Sequence, residues 1–287
     1  MRKQSKLNLY FQLTKPRIIV MVAITLVIGF YLAPGDHSAW RLLATLIGVA
    51  VSSAGASALN HCMERETDKL MERTKNRPVA SGKLEPLPVL IFGVVMVLMG
   101  VFFLNWQVNL LTSFIVLLTA FLYVLVYTPL KKLTWLNTFV GSIPGALPPV
   151  AGWTAAADGV DLGAYLLFLI LFAWQHPHFY ALAWIYKDDY ARGGLKMLPV
   201  VDTSGRRTIT HILLYCLILL AVSILPVHFG MAGTTYFIGA LVLGLWFFAM
   251  GIRFSRAQTL ANARGLFRSS LVYFPALLVL ILIDSNI

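Results

Sequence analysis

The sequence predicts an all-α integral membrane protein of about nine transmembrane helices with a cytoplasmic N-terminus. Three observations carry this. Of 287 residues, 59% are hydrophobic and only 12% charged, with a mean hydropathy of +0.78, against about 25% charged in soluble domains. Nine apolar runs approach or reach the roughly 18 to 20 residues that cross a hydrocarbon core about 30 Å thick. The basic residues are confined to alternate connecting segments.

The runs lie at 18–32, 42–59, 87–104, 110–127, 136–153, 165–185, 209–227, 236–252 and 267–283. The first resembles a signal peptide in length, but Pro16 and Arg17 precede it and no small-residue cleavage site follows before Asp36, so it is read as a span. The second carries Arg41 at its start and runs into a dense charge cluster. The third and fourth are joined by the short NWQVN. The fifth contains GSIPGALPPVAGW, in which prolines remove helix hydrogen bonds; a kinked packing helix and a cavity wall are both open readings. The sixth leads out through WQHPHFYALAWIYKDDYARGGLKMLPVV, and the last three are ordinary apolar spans. With nine alternating helices, segments 1–17, 60–86, 128–135, 186–208 and 253–268 face the cytoplasm and hold 22 of the 23 Lys and Arg, Arg41 being the exception. The net charge of +11 is therefore explained by membrane orientation, and no nucleic-acid partner is expected. Cys62 and Cys216 form neither a disulfide framework nor a zinc pattern.

The chain is expected to form a single polytopic domain, 1–287, with its chemistry in the two long loops 60–86 and 186–208. Aligning Asp68 with Asp189 places Pro78-Val79 against Pro199-Val200, with Ser81-Gly82 and Ser204-Gly205 close behind. Either a parallel repeat, which would place a site between its halves, or chance similarity of turns accounts for this.

Asn60, Glu64 and Asp68 fall at i, i+4 and i+8, a column of oxygen donors about 12 Å long on one helix face. Such donors suit Mg²⁺, which takes one or two carboxylates and completes its shell with water and phosphate. Arg73, Lys75, Arg77 and Lys83 follow and suit phosphate oxygens. A solvated helix end with internal Glu–Arg pairs is the competing reading. In the second loop, His178 and Asp189 are eleven residues apart, within about 20° on a continuous helix, with Gln175 near the same face. Ionisable groups at membrane depth mark sites, although His176 and His178 around Pro177 also suit buried structural roles. Two acidic columns could hold a diphosphate through bridging Mg²⁺, with apolar walls for an isoprenoid tail.

At LTKPR (13–17), NHCMERETDKLMERTKNRPVASG (60–82), YTPLKKLTWLNTFVGSIPGALPPVAGW (127–153), the 174–201 stretch quoted above and FRSSLVYFPALL (267–278), the chain resembles the UbiA superfamily of intramembrane prenyltransferases, and within it the haem O synthase branch. The resemblance implies a UbiA-type bundle with a central cavity. It also implies transfer of the farnesyl group of farnesyl diphosphate to a vinyl group of haem B, with addition of water. By resemblance, Asn60, Glu64, Asp68 and Asp189 hold Mg²⁺ and diphosphate, with Arg73, Arg77 and Lys131 on the phosphates. Glu64 in the middle acidic position, and His178 where quinone-type members carry Asp, favour the haem branch. His176, His178 or His211 would ligate or orient haem, since imidazole suits iron. The implied setting is the bacterial inner membrane, with active-site loops cytoplasmic and a haem A synthase or terminal-oxidase assembly factors as partners. The rivals are a quinone-type acceptor and a secondary transporter. A phosphatidyl-alcohol transferase would want an Asp-Gly-x2-Ala-Arg pattern, which is not found.

Overall fold

The structure, a computed structural model, describes residues 5–285. Arg2 and Lys3, counted above among the cytoplasmic cations, lie outside the described residues, as do the extreme ends of the expected domain. The helices are α1 (Lys6–Leu13), α2 (Pro16–Leu32), α3 (Ala39–Met63), α4 (Arg65–Leu70), α5 (Pro86–Gln107), α6 (Leu110–Phe121), a π-helical segment (Leu122–Tyr127), α7 (Thr128–Leu133), α8 (Asn137–Ala146), α9 (Pro148–Ala157), α10 (Leu162–Ile185), α11 (Lys187–Arg192), α12 (Leu198–Val201), α13 (Arg206–His228), α14 (Thr234–Arg256) and α15 (Leu260–Ile283). Among the described residues the β-structure is one isolated bridge, Ala232 with Ser285.

Local sequence sets the boundaries. Pro16 and Pro86 open α2 and α5, where a missing N–H costs nothing. Asn109 caps α6, its Oδ1 accepting from Thr112 N at 2.7 Å, and Asp161 caps α10 through Gly163 N at 2.9 Å; both satisfy amides that a helix start leaves open.

Among the described residues seven helices, with α6 through α7 (Leu110–Leu133) taken as one, are long and apolar enough to cross a membrane, and an eighth results if α1 and α2, bent by 43°, are taken as one. With α1 and α2 counted as one span, the remaining difference from nine lies in the expected fifth span, 136–153, which is split into the ten-residue helices α8 and α9 meeting at Leu147. Pro148 and Pro149 carry no N–H to continue the ladder, and Pro144 sits inside α8. Gln175 of α10 reaches across, its Nε2 donating to Ser142 O at 3.1 Å. A side chain on Gly145 would overlap the Gln175 amide oxygen, so glycine is what lets α8 and α10 come this close.

Helix association in lipid depends on close packing, since tails are as apolar as the helices. A Cβ on Gly55 would lie 2.5 Å from Gly93 O, and one on Gly100 would lie 2.5 Å from Gly48 O, so α3 and α5 touch backbone to backbone. A Cβ on Gly152 would overlap Leu26 O, which fixes α9 on α2 in the same way. Gly152→Ala is expected to force these helices apart at a cost of about 1–3 kcal/mol, read as a lower melting midpoint of the detergent-purified protein. An unchanged midpoint would mean that the α2–α9 contact yields.

On the far side, Arg41 is not a stray cation. It pairs with Asp158 after α9 and lies 3.5 Å from Asp36, while Asn109 Nδ2 donates to Asp158 Oδ1 at 2.6 Å. The exception to the charge pattern is a clasp joining α3, α6 and α9.

Candidate active site

α3 does not run on through the acidic column. It ends at Met63, Glu64 adopts φ −89° and ψ 0°, and α4 starts at Arg65. The bonds Glu64 N to Asn60 O at 3.0 Å and Asp68 N to Glu64 O at 2.7 Å nevertheless persist across the break, so the three side chains stay in sequence along one wall. The expectation of one uninterrupted helix is corrected; the juxtaposition survives.

Each oxygen donor of this wall meets a cation from another element. Lys15 Nζ, between α1 and α2, donates to Asn60 Oδ1 at 2.8 Å and to Tyr123 OH at 3.4 Å. Lys131 Nζ of α7 donates to Glu64 Oε1 at 2.6 Å. Arg77 Nη1 donates to Asp68 Oδ1 and Oδ2 at 2.9 and 2.7 Å and lies 3.5 Å from Glu64 Oε2. Asp68 is wholly buried. Burial pushes the Glu64 carboxyl up, but Lys131, Lys15 and Arg77 outweigh it and bring it down to about 2. For Asp68 burial prevails over Arg77 and holds the carboxyl above its ordinary value.

The sign for Glu64 follows. With a folded value below the ordinary 4.5, its charge contributes stability that is complete above about 4.5 and lost as pH falls through about 2. Glu64→Gln is therefore expected to flatten the acid dependence of the melting temperature in that window. An unchanged dependence would show that the Lys131 contact adds no stability.

The tyrosines come from the π-helical segment inside the fourth span. Such a bulge rotates side chains relative to a regular helix and is common at functional sites. Lys131 Nζ sits 4.4 Å from the centre of the Tyr127 ring, and Thr128 Oγ1 accepts from Asn60 Nδ2 at 3.1 Å while donating to Tyr123 O at 2.8 Å.

The second loop approaches from the other side. α10 ends at Ile185 and α11 begins at Lys187 after Tyr186 at φ −107° and ψ 26°, so His178 and Asp189 do not share a continuous helix as expected. Asp189 Oδ1 accepts from Glu72 N at 2.8 Å and from Arg192 Nη2 at 2.6 Å, and Oδ2 accepts from Arg73 N at 3.3 Å. Burial acts upward on its pKa, and these donors bring it below the usual carboxylate value. Asp189 thus holds the loop that carries Arg73 and Arg77. Arg73 lies 5.4 Å over the Tyr186 ring and 5.8 Å over that of Tyr190, and Met71, Leu195 and Met197 pack together beneath. Lys196 N donates to Lys131 O at 2.7 Å, fastening the second loop to α7. The two loops also match in form: each follows a helix break, carries a short helix with its aspartate, and places a left-handed glycine, Gly82 at φ 72° and Gly205 at φ 71°.

Of the three histidines expected to meet haem, His178 packs toward α15, while His176 and His211 both lie against Tyr215 and Tyr180. His178 Nδ1 meets Ser270 Oγ at 2.7 Å, and that hydroxyl donates to Phe267 O at 2.6 Å. The hydroxyl proton being committed, Nδ1 is the donor and Nε2 keeps its lone pair. The ring stacks on Trp174 at 4.6 Å. His176, turned to another face of α10, bonds Phe172 O at 2.8 Å, stacks on Tyr215 at 3.6 Å, and leaves a buried Nε2 without a partner. His211 lies 5.4 Å from Trp135 and 6.4 Å from Tyr215.

Among the described residues no three His, Cys, Asp or Glu side chains gather as a metal cluster. Two carboxylates do converge on one point: Arg77 Nη1 lies 2.7 Å from Asp68 and 3.5 Å from Glu64. With the Asn60 amide oxygen alongside, this hard-oxygen set fits Mg²⁺, which needs one or two carboxylates and no all-protein cage. Sequence reasoning missed Lys15, Tyr123 and Tyr127. LTKPR carried the first as a lysine placed just before a helix-opening proline, whereas the π-helical segment has no sequence signal.

A helical bundle long and apolar enough to span a membrane, with oxygen donors and cations gathered at the ends of its helices, has the form of an intramembrane enzyme. The UbiA prenyltransferase family model matches residues 22–274, and the chain belongs to that family. It is 44% identical over 285 residues to the protein named protoheme IX farnesyltransferase from Solibacter usitatus, covering 96% of this chain and 98% of that one. A solved structure of digeranylgeranylglyceryl phosphate synthase matches its fold with a TM-score of 0.82 at 16% identity, covering 98% and 99%. A UbiA homologue from Archaeoglobus fulgidus bound to GPP and Mg²⁺ matches with a TM-score of 0.67 at 14% identity, covering 95% and 99%.

Proposed function

We propose that this protein transfers the farnesyl group of farnesyl diphosphate to a vinyl group of haem B, with addition of water, giving haem O and diphosphate. The observation that carries the chemistry is the convergence of Lys15, Arg77 and Lys131 on Asn60, Glu64 and Asp68; kinship over nearly the whole chain supports the acceptor. Asn60, Glu64 and Asp68 would hold Mg²⁺, and Asp189, whose Oδ2 has a single contact at 3.3 Å, has acceptor capacity left to join them. When bound, the ion supplies positive charge to the diphosphate oxygens.

The chain's own part is electrostatic. Arg77 and Lys131, with Arg73 beside them, stabilise negative charge as the allylic carbon–oxygen bond breaks and the diphosphate leaves with the electron pair. The vinyl π-electrons form the new carbon–carbon bond to the allylic carbon. Water then captures the cation adjacent to the porphyrin and releases a proton. Among the histidines, His178 is the assignment we favour for haem iron, because Ser270 fixes its tautomer with Nε2 free, the usual arrangement of a metal-binding imidazole; His176 and His211 are the alternates. The segregated charges support placing loops 60–86 and 186–208 on the cytoplasmic side of the bacterial inner membrane, where a haem A synthase would use the product.

Membranes carrying the protein, given farnesyl diphosphate with either haem B or 4-hydroxybenzoate, are expected to prenylate only the haem. Prenylation of the benzoate alone would overturn the acceptor. Lys131→Ala is expected to raise the KM for farnesyl diphosphate by about tenfold or more, and an unchanged KM would remove Lys131 from the diphosphate.

A further inference from the structure

Lys15 belongs to the convergence on Asn60, Glu64 and Asp68 but is given no step of its own in the reaction above, and its geometry is unusual. It adopts φ 51° and ψ 62°, one of two non-glycine residues with positive φ among those described. The other, Asp158, ends a helix, where the left-handed conformation is common. Lysine is not suited to this region, and Pro16 after it disfavours helical backbone of either hand. Strain of this kind persists only where surrounding structure enforces it, and it clusters at functional sites.

The enforcement is visible. The Lys15 ammonium is directed at Asn60 Oδ1, 2.8 Å away, and at Tyr123 OH, both uncharged acceptors. The Asn60 amide cannot turn away. Thr128 commits its proton to Tyr123 O and so can only accept from Asn60 Nδ2, which leaves Oδ1 facing Lys15.

Resting on the metal–diphosphate reading above, we propose that Lys15 is a substrate-coupled positioning residue. In the free enzyme its ammonium fills the place of a metal on Asn60, and it transfers to the diphosphate when metal and substrate enter together. An ammonium 2.8 Å from Asn60 Oδ1 repels a dication bound to the same oxygen, so Lys15 opposes metal alone. An anionic diphosphate offers the ammonium a stronger acceptor than an amide does. Metal and diphosphate then favour each other's binding through this side chain, and the coupling is reciprocal.

The test uses the purified full chain with Mn²⁺ alone as a spin-active probe, and farnesyl thiodiphosphate at fixed metal as the substrate analogue. Lys15→Met is expected to bind Mn²⁺ about tenfold tighter and the analogue about tenfold more weakly. Lys15→Arg should stay near wild type in both. Lys15→Gly, which relieves the left-handed backbone, should behave as Lys15→Met and guards against a misfolded variant. A residue that merely shapes the site would weaken both ligands on removal. If wild type binds both and Lys15→Met and Lys15→Gly weaken both or change neither, the proposal is overturned while the clamp reading stands. If wild type binds neither Mn²⁺ nor the analogue, the clamp reading itself fails.

Discussion

Asp68→Ala is expected to lower haem O formation by about a thousandfold or more, on the scale of losing a preorganised charge at a transition state, while the protein still reaches the membrane. Asp68 is fully buried and receives both contacts of Arg77 Nη1. Without it, Arg77 retains Glu64, already 3.5 Å away, as its remaining carboxylate. The guanidinium then settles on the second oxygen donor and closes the position where a dication would sit. One substitution thus removes a ligand and blocks its neighbour, so added Mg²⁺ should not restore turnover. Near-normal turnover at saturating Mg²⁺ would contradict the shared site, and a fall in membrane-inserted protein would show a folding defect instead.

Asp189→Ala is expected to be nearly as severe, through two effects that a second variant separates. The carboxylate accepts from the amides of Glu72 and Arg73 and from Arg192. Alanine therefore frees the loop carrying Arg73 and Arg77, and it also deletes a proposed metal ligand. Asp189→Asn keeps an oxygen for the Glu72 amide and removes the charge together with the weaker 3.3 Å acceptor for the Arg73 amide. If Asp189 serves the metal, both variants lose haem O, and protection of the Glu72 amide from hydrogen exchange falls in the alanine variant but is retained in the asparagine variant. If its role is to hold the loop, the asparagine variant retains substantial turnover.

Much of this was legible in the sequence because its signals are short in range. Apolar length gave the spans, basic segregation gave the loops their common side, and the i, i+4, i+8 spacing of Asn60, Glu64 and Asp68 brought three donors to one wall even though the helix breaks at Glu64. The misses are tertiary. The fifth span splits at Leu147 because Pro148 and Pro149 cannot donate to the carbonyls one turn back, and apolar length alone does not register that. His178 and Asp189 separate because Tyr186 breaks the second helix. Lys15 lies 45 residues from its acceptor, so no local pattern joins them, although a lysine before a helix-opening proline was in plain view. Lys131 is reached through family resemblance alone, and its contact with Glu64 at 2.6 Å, 67 residues away, has no local signal.

The most direct measurement is haem extraction and mass analysis of cells that lack other haem-modifying prenyltransferases, carrying either the wild-type protein or Asp68→Ala at matched membrane levels. The account predicts a haem heavier than haem B by one farnesyl group and one hydroxyl in the first and unmodified haem B in the second. The same haem profile in both cells, modified or not, would contradict it.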